Sequence, residues 1–109
     1  MGFSMISHGE MDRLLESGKT FALIDLREKE AYARERIEGS RNIPFQELWE
    51  RQGEVPRDMP VVFYCDRGSK SMAACREFSR RGVVCASLGA GIRNYRGKFI
   101  DRRPLGAIE

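Results

Sequence analysis

The chain has few of the residues that build disulfide frameworks and metal sites. Its 109 residues include three cysteines and one histidine, and no two cysteines form a Cys-x-x-Cys pair. An odd number of cysteines without such a pair argues against a disulfide framework and against a zinc site. We therefore predict no metal site. Three free thiols fit a reducing compartment, the cytoplasm, best.

The chain also lacks the signatures of membrane insertion, secretion and nucleic-acid binding. No apolar run approaches the roughly 20 residues of a membrane span. The N-terminus has no basic region followed by an apolar segment, so no signal peptide is predicted. The formal net charge at pH 7 is only +3, and the longest basic blocks are pairs such as Arg80-Arg81. Scattered basic residues do not form a nucleic-acid footprint. We expect neither a membrane nor a nucleic acid among the partners.

The composition is that of an ordinary globular domain. Hydrophobic residues make up 41% of the chain and charged residues 32%, and no internal repeat or low-complexity segment occurs. A chain of this length can bury one modest core and has no room for a second. We predict a single domain over residues 1–109, with a core at 1–100 and a polar tail at 101–109.

Short apolar runs that alternate with helical patterns indicate the fold class. Runs rich in branched and aromatic residues predict strands at 3–7, 21–27, 61–65 and 83–88, with an extended piece at 41–44. Apolar residues spaced three or four apart predict helices near 8–17, 45–52 and 69–81. The highly charged segment 28–36 and the segment 92–100 complete the predicted helices. This alternation predicts an α/β fold, in which a mainly parallel sheet of about five strands carries helices on both faces.

The strand at 61–65 ends at Cys65, which is the leading candidate for chemistry. A polar loop follows it before the next helix: Asp66, Arg67, Gly68, Ser69, Lys70 and Ser71. Ligands of α/β sheets bind beyond the carboxyl ends of the strands. Loop amides, a helix N-terminus and two cations would favour a thiolate and hold an anionic substrate. We predict Cys65 as a nucleophile and the loop as its substrate-binding site. The alternative is a buried, inert cysteine beside solvated charges.

Four other residues have structural interpretations. Asp25 and Arg27 flank Leu26, so both reach the same face at the end of their strand. We predict that they support the pocket as an internal ion pair or loop brace rather than as catalysts. Cys75 lies on the apolar stripe of its predicted helix and Cys85 in an apolar strand, which favours places in the core over redox roles.

Four stretches of the chain, in order, resemble the landmarks of one family. Leu23-Ile24-Asp25-Leu26-Arg27 resembles a buried strand that closes on Asp-Val-Arg, and Arg36-Ile37-Glu38-Gly39-Ser40-Arg41-Asn42-Ile43-Pro44 resembles His-Ile-Pro-Gly-Ala-x-Asn-Ile-Pro. Cys65-Asp66-Arg67-Gly68-Ser69-Lys70-Ser71 resembles Cys-Arg-x-Gly-x-Arg-Ser, and Ala90-Gly91-Ile92-Arg93-Asn94-Tyr95 resembles Gly-Gly-Ile-x-x-Trp. The chain thus resembles a single-domain rhodanese. It departs from the family pattern at Arg36, Asp66, Lys70, Ala90 and Tyr95.

The resemblance implies a rhodanese-like three-layer fold and a sulfurtransferase of the thiosulfate type. Cys65 would take a sulfane sulfur from thiosulfate, a polysulfide or a low-molecular-weight persulfide, and would hold it as a persulfide on the loop amides. A thiol or cyanide would then accept the sulfur, and a protein acceptor is an open alternative. A stabilised thiolate suits this two-step transfer because it is both nucleophile and leaving group. The resemblance implies no cofactor.

Two other functional classes compete with this interpretation. Some relatives of the fold are phosphatases or arsenate reductases, in which an arginine follows the cysteine after five residues and clamps a tetrahedral oxyanion. Here that position is Ser71, and Tyr64 stands where such enzymes usually have histidine, so this class ranks low. The other class is a non-catalytic or sulfur-relay module that uses the fold for protein contacts.

Overall fold

The computed structural model describes residues 2–108, so the two ends of the predicted domain, residues 1 and 109, lie outside it. Its main sheet contains β1 (Ser4–Ile6), β2 (Ala22–Asp25), β4 (Arg41–Asn42), β5 (Val61–Tyr64) and β6 (Cys85–Leu88). These strands follow the order β1-β6-β5-β2-β4, and every neighbouring pair is parallel. β3 (Arg36–Ile37) and β7 (Ile100–Asp101) form a separate antiparallel pair. The predicted mainly parallel sheet of about five strands is confirmed.

Helices cover both faces of this sheet. They are α1 (His8–Glu16), α2 (Lys29–Arg34) and α3 (Ser69–Arg80), with 3₁₀ turns at Phe45–Glu47, Gln52–Glu54 and Leu105–Ile108. On one face, Phe78 of α3 packs with Phe63. On the other, Met11 of α1 shares a cluster with Val62. Burial on both faces explains why the central strands are mostly apolar. The three-layer α/β prediction is confirmed.

The register brings three strand ends together. Asp25 at the end of β2 pairs with Tyr64 at the end of β5, and Phe63 pairs with Ser87 of β6. Because parallel strands point their carboxyl ends to one edge of the sheet, Cys65 emerges between the ends of β2 and β6. The fold thus places this cysteine where α/β sheets bind ligands.

Two of the predicted helices are wrong. Residues 45–52 form no α-helix: a 3₁₀ turn at Phe45–Glu47, in which Leu48 N–H donates to Phe45 O at 3.1 Å, is followed by a hydrogen-bonded turn and by the 3₁₀ turn that begins at Gln52. Residues 92–100 form turns, and Asn94 has a φ of 64° that no α-helix accommodates. In both segments the side chains pack onto the sheet or onto α1 in a way that a regular helix would not allow. A helix of eight or nine residues has too few backbone hydrogen bonds to outweigh this packing.

The carboxyl end of the chain is also more ordered than a polar tail implies. The predicted boundary at residue 100 falls inside β7, and Asp101 is buried there. Likewise, α2 ends at Arg34 and the predicted helical residue Arg36 belongs to β3. The core therefore extends beyond residue 100.

No helix in the part of the chain that the structure describes is long and apolar enough to cross a membrane; α3, the longest of them, has 12 residues.

Candidate active site

The Cys65 sulfur lies in a small nest of hydrogen-bond donors. Cys65 follows β5 directly and is 3% exposed. Its Sγ accepts hydrogen bonds from the backbone N–H of Gly68 at 3.1 Å and of Ser71 at 3.4 Å. The loop between them curls around the sulfur, and α3 begins at Ser69. Two N–H groups and a helix N-terminus favour negative charge on the sulfur.

A second loop holds the first in this shape, and glycines make the contact possible. Gly68 has a φ of 110°, and a Cβ there would lie 2.1 Å from Gly89 O. Gly91 has a φ of 70°, and its Cβ would lie 2.2 Å from Asp66 O. The backbone N–H of Ile92 donates to Cys65 O at 2.9 Å. Only glycine permits both this backbone conformation and this approach.

The predicted supporting pair is an ion pair that braces one wall. The Asp25 carboxylate is fully buried, and its Oδ2 lies 2.8 Å from Arg27 Nη2. Arg27 Nη2 also donates to Glu35 O at 2.6 Å, and the Asn42 amide donates to the carbonyl oxygens of Asp25 and Arg27. Of the pair, Arg27 lines the cleft and Asp25 holds it from behind.

Cys65 lines a cleft of about 730 Å³ in which five cations outnumber three carboxylates. Its lining residues are Arg27, Glu28, Ala31, Arg34, Glu35, Cys65, Asp66, Arg67, Ser69, Lys70 and Arg93. The structure thus brings most of the predicted loop together in one cavity, whereas Gly68 and Ser71 lie beneath it and are buried. The opposite wall comes from the segment around α2.

The carboxylates of the cleft are all engaged by other groups. Asp66 Oδ2 lies 2.7 Å from Arg93 Nη2, so the Arg93 guanidinium offsets part of the repulsion between this carboxylate and a Cys65 thiolate. Glu35 pairs with Arg102 at 2.9 Å, and Glu28 accepts from the Gln46 amide at 3.0 Å. Among the described residues, Arg34 and Lys70 make no ion pair, and both are exposed. These two cations of the cleft are therefore available to an anionic ligand.

Sequence reasoning missed three parts of this site. Arg93 lies in the stretch 90–95 that resembles a family landmark, but no local sequence pattern links it to Asp66. The α2 wall was recognised only as a highly charged helix. Ser87 lies beneath the sulfur, and its hydroxyl is 2.7 Å from Ser71 Oγ. A serine within the otherwise apolar run at 83–88 was the only signal for it.

The other two cysteines are buried between α3 and β6. Cys85 Sγ lies 3.4 Å from Cys75 O, and both side chains belong to the core. Burial raises the pKa of both thiols above the usual range. Neutral thiols are poor nucleophiles, which supports the predicted structural role of these two residues.

No group of three or more potential metal-ligating side chains occurs in the described part of the chain.

Comparison with known proteins identifies the family. The family model described as Rhodanese-like domain matches residues 7–99. The chain belongs to this family. It is 34% identical over 78 residues to the protein named YqhL of Bacillus subtilis, a match that covers 71% of this chain and 62% of that protein. It is 30% identical over 113 residues to the thiosulfate:glutathione sulfurtransferase of Homo sapiens, covering 90% of this chain and 91% of that protein.

A solved structure shows the same architecture. The crystal structure of a rhodanese-related protein from Thermoplasma volcanium superposes with a TM-score of 0.81 and 26% sequence identity. The match covers 93% of this chain and 100% of the other. The rhodanese resemblance and the rhodanese-like fold predicted from the sequence are therefore confirmed.

Proposed function

We propose that the protein is a sulfurtransferase that carries a sulfane sulfur on Cys65. The observation that carries this proposal is the position of the Cys65 sulfur, which accepts two backbone N–H groups at the floor of a cationic cleft. The family and the name of the human relative support the reaction class. The three free thiols fit a reducing compartment such as the cytoplasm.

The reaction has two displacement steps. The Cys65 thiolate attacks the outer sulfur of thiosulfate, the sulfur–sulfur bond of the donor breaks, and sulfite leaves with the electron pair of that bond. Cys65 then carries a persulfide. An acceptor thiolate attacks the outer sulfur of this persulfide, Cys65 leaves as a thiolate, and the acceptor departs as a persulfide. Hydrogen bonds to the inner sulfur assist both steps, because they stabilise Cys65 as nucleophile and as leaving group.

The charges of the cleft favour an anionic sulfur donor. Arg34 on the α2 side and Lys70 at the start of α3 approach the cavity from opposite walls, and neither is paired with a carboxylate in the described structure. Thiosulfate carries two negative charges and can be attracted by both. Polysulfides and low-molecular-weight persulfides are alternative donors, and a thiol or cyanide is the acceptor. A protein acceptor is an alternative partner for the same open cleft.

The phosphatase alternative lacks its anion clamp. At the position where such enzymes have arginine, Ser71 is buried and its hydroxyl donates to Gly68 O at 3.1 Å. The Ser71 hydroxyl therefore points away from the cleft, and this loop position supplies no guanidinium to clamp an oxyanion. This geometry favours sulfur transfer over phosphoryl or arsenate chemistry.

Intact mass spectrometry tests the proposal directly. After incubation with thiosulfate or polysulfide, the protein should gain the mass of one sulfur atom, and a reductant should remove it. Cys65→Ser should abolish both this gain and transfer to cyanide. Cys75→Ala and Cys85→Ala are matched controls that should retain transfer, with a stability loss of about 1 kcal/mol for the small cavity.

Two results would contradict the proposal. If wild type gains no sulfur from either donor, the chain acts as a non-catalytic module of the fold. If Cys75→Ala stops turnover while circular dichroism shows an intact fold, Cys75 acts as a resolving thiol and the single-cysteine mechanism is wrong.

A further inference from the structure

Ser87 is a buried polar side chain that the two displacement steps do not use. It lies in β6 opposite Phe63 and is 0% exposed. Its hydroxyl lies 2.7 Å from Ser71 Oγ, which is its only hydrogen-bonding partner among the described residues. Burial of a hydroxyl costs free energy unless it is hydrogen-bonded. The hydrogen bond to Ser71 therefore indicates the role of Ser87.

The number of available protons determines the direction of this hydrogen bond. A hydroxyl donates one proton and accepts at two lone pairs. Ser71 Oγ has two other neighbours, Gly68 O at 3.1 Å and Cys65 Sγ at 3.6 Å. Ser87 has no acceptor within reach other than Ser71 in the described structure, so Ser87 donates and Ser71 accepts. Ser71 therefore keeps its own proton for Gly68 O or for the sulfur.

The charge on the sulfur decides between these two acceptors. When Cys65 is a thiol, Ser71 donates to Gly68 O, and the thiol S–H points at Ser71 Oγ. When Cys65 is a thiolate, the Ser71 proton can turn to the sulfur, because a hydrogen bond to an ion is stronger than one to a neutral carbonyl. The bond that Ser71 accepts from Ser87 polarises its hydroxyl and strengthens this donation.

We propose that Ser87 is a positioning residue that acts through Ser71 to stabilise the Cys65 thiolate. The proposal rests on the proposed function, because it assigns Ser87 a part in making Cys65 a nucleophile and a leaving group. Ser87 lies below the loop and does not line the cleft. Its effect is therefore independent of the sulfur donor, unlike that of a cation at the cleft.

The experiment measures thiolate reactivity rather than sulfur transfer. Cys65 is alkylated with iodoacetamide, a neutral reagent, over a range of pH in wild type, Ser87→Ala, Ser71→Ala and the double variant. We expect Ser87→Ala to slow alkylation at neutral pH by about threefold to tenfold, as for loss of part of a hydrogen bond to an ion. Ser71→Ala should slow it at least as much. The double variant should match Ser71→Ala, because Ser87 acts only through Ser71.

Two further measurements separate positioning from damage to the fold. At high pH, where the thiolate is complete in every variant, the alkylation rates should converge. Ser79→Ala is the matched control: Ser79 is another buried serine of the α3 layer, but its hydroxyl donates to Gly2 O at 2.8 Å, away from the sulfur. This variant should keep the wild-type pH profile.

Several outcomes would overturn the proposal. An unchanged profile in Ser87→Ala would show that Ser87 only fills space. A slower rate that persists at high pH, or additive losses in the double variant, would show an effect that does not pass through Ser71. The proposed function can fail separately: wild type would then take up no sulfur from thiosulfate, whatever the alkylation profiles show.

Discussion

At the scale of single residues, the cations of the cleft differ in whether they already form an ion pair with a carboxylate. Arg93 is 2.7 Å from Asp66, and Arg27 is committed to the buried Asp25. Lys70 is exposed in the first turn of α3 and has no ion-pair partner in the described structure. It replaces the arginine of the family pattern, and an ammonium attracts an anion as a compact charge without the fork of a guanidinium. Under the proposed function, Lys70 is therefore the cation that we expect to discriminate among sulfur donors by charge.

We predict that Lys70→Ala weakens the use of thiosulfate more than the use of glutathione persulfide. Thiosulfate carries two negative charges, so its KM should rise about threefold, which is the scale of an exposed ionic contact. The backbone N–H groups of Gly68 and Ser71, which the substitution leaves in place, should still hold a persulfide on Cys65. The measurement is kcat/KM for both donors at two salt concentrations, because salt screening should shrink the difference.

Arg76→Ala provides the control for Lys70→Ala. Arg76 is an exposed cation of the same helix that does not line the cleft, so its loss changes the net charge equally. It should leave both donors unaffected. Equal losses for the two donors in Lys70→Ala would instead assign Lys70 to activation of Cys65. No loss for either donor would make Lys70 a solvated surface charge.

At the scale of elements, the site consists of two loops pressed against each other. The loop after β5 carries the sulfur, and the loop after β6 donates Ile92 N–H and Arg93 N–H to its carbonyls, each at 2.9 Å. His8, the first residue of α1, supports the second loop through a 2.8 Å contact between its Nε2 and Gly91 O. The nest around the sulfur therefore depends on the close approach of a segment more than 20 residues away.

We predict that Gly91→Ala disrupts the nest, whereas Gly18→Ala does not. Both glycines have a left-handed backbone, with φ of 70° and 76°. A Cβ at residue 91 would lie 2.2 Å from Asp66 O, but one at residue 18 would meet nothing within 4 Å. Gly18→Ala should thus cost about 1 kcal/mol of unfolding free energy from backbone strain alone. Gly91→Ala should cost about 3 kcal/mol, because a clash is added to the strain.

Urea unfolding and sulfur-transfer assays measure the two effects. Gly18→Ala should keep wild-type transfer, and Gly91→Ala should lose most of it even where the protein remains folded. Equal stability and equal activity in the two variants would mean that the loops do not need their close contact.

At the scale of the whole molecule, a buried ion pair joins the middle of the chain to its end. Arg36 of β3 is 3% exposed and lies 3.6 Å from Asp101 of β7. Its guanidinium also donates to Tyr32 O at 3.0 Å and to Arg103 O at 2.6 Å. Hydrogen bonds from the Arg103 side chain and backbone, and then the charge of Arg36, lower the pKa of Asp101 below its usual range.

We predict that Asp101→Asn destabilises the protein at neutral pH and that this loss disappears in acid. Because the folded pKa of Asp101 is lowered, its contribution is complete above the unfolded value, about 3.9. It is lost as the pH falls below that value and through the folded pKa. The unfolding temperatures of wild type and Asp101→Asn should differ at neutral pH, and this difference should shrink progressively as the pH falls from about 4 toward the folded pKa of Asp101.

Glu77→Gln is the comparison for Asp101→Asn, because Glu77 pairs with Arg81 at the surface of α3, at 3.2 Å. Such pairs contribute little, so this variant should change the unfolding temperature only slightly at any pH. A difference between wild type and Asp101→Asn that is the same at all pH values would mean that the Asp101 charge does not stabilise the fold.

Elements whose signals are local follow from the sequence alone. The apolar run at 61–64 and the polar loop after Cys65 specified a buried strand, a turn and the start of α3, because period and composition act within one element. The capping box at the start of α1 is likewise local, because its two hydrogen bonds join Ser7 and Glu10, which lie three positions apart. These signals placed Cys65 at a strand end.

The groups from distant parts of the chain that surround Cys65 are set by the tertiary fold. Ser71 meets Ser87 sixteen positions away, and Asp66 meets Arg93 twenty-seven positions away. Neither pairing leaves a trace in local periodicity, because both depend on the strand order β6-β5-β2, which burial of the central strands sets. The segment 92–100 shows the same limit: the alternation of strands and helices predicted a helix there, but its residues instead form turns that contact Asp12 of α1 and the loop after Cys65.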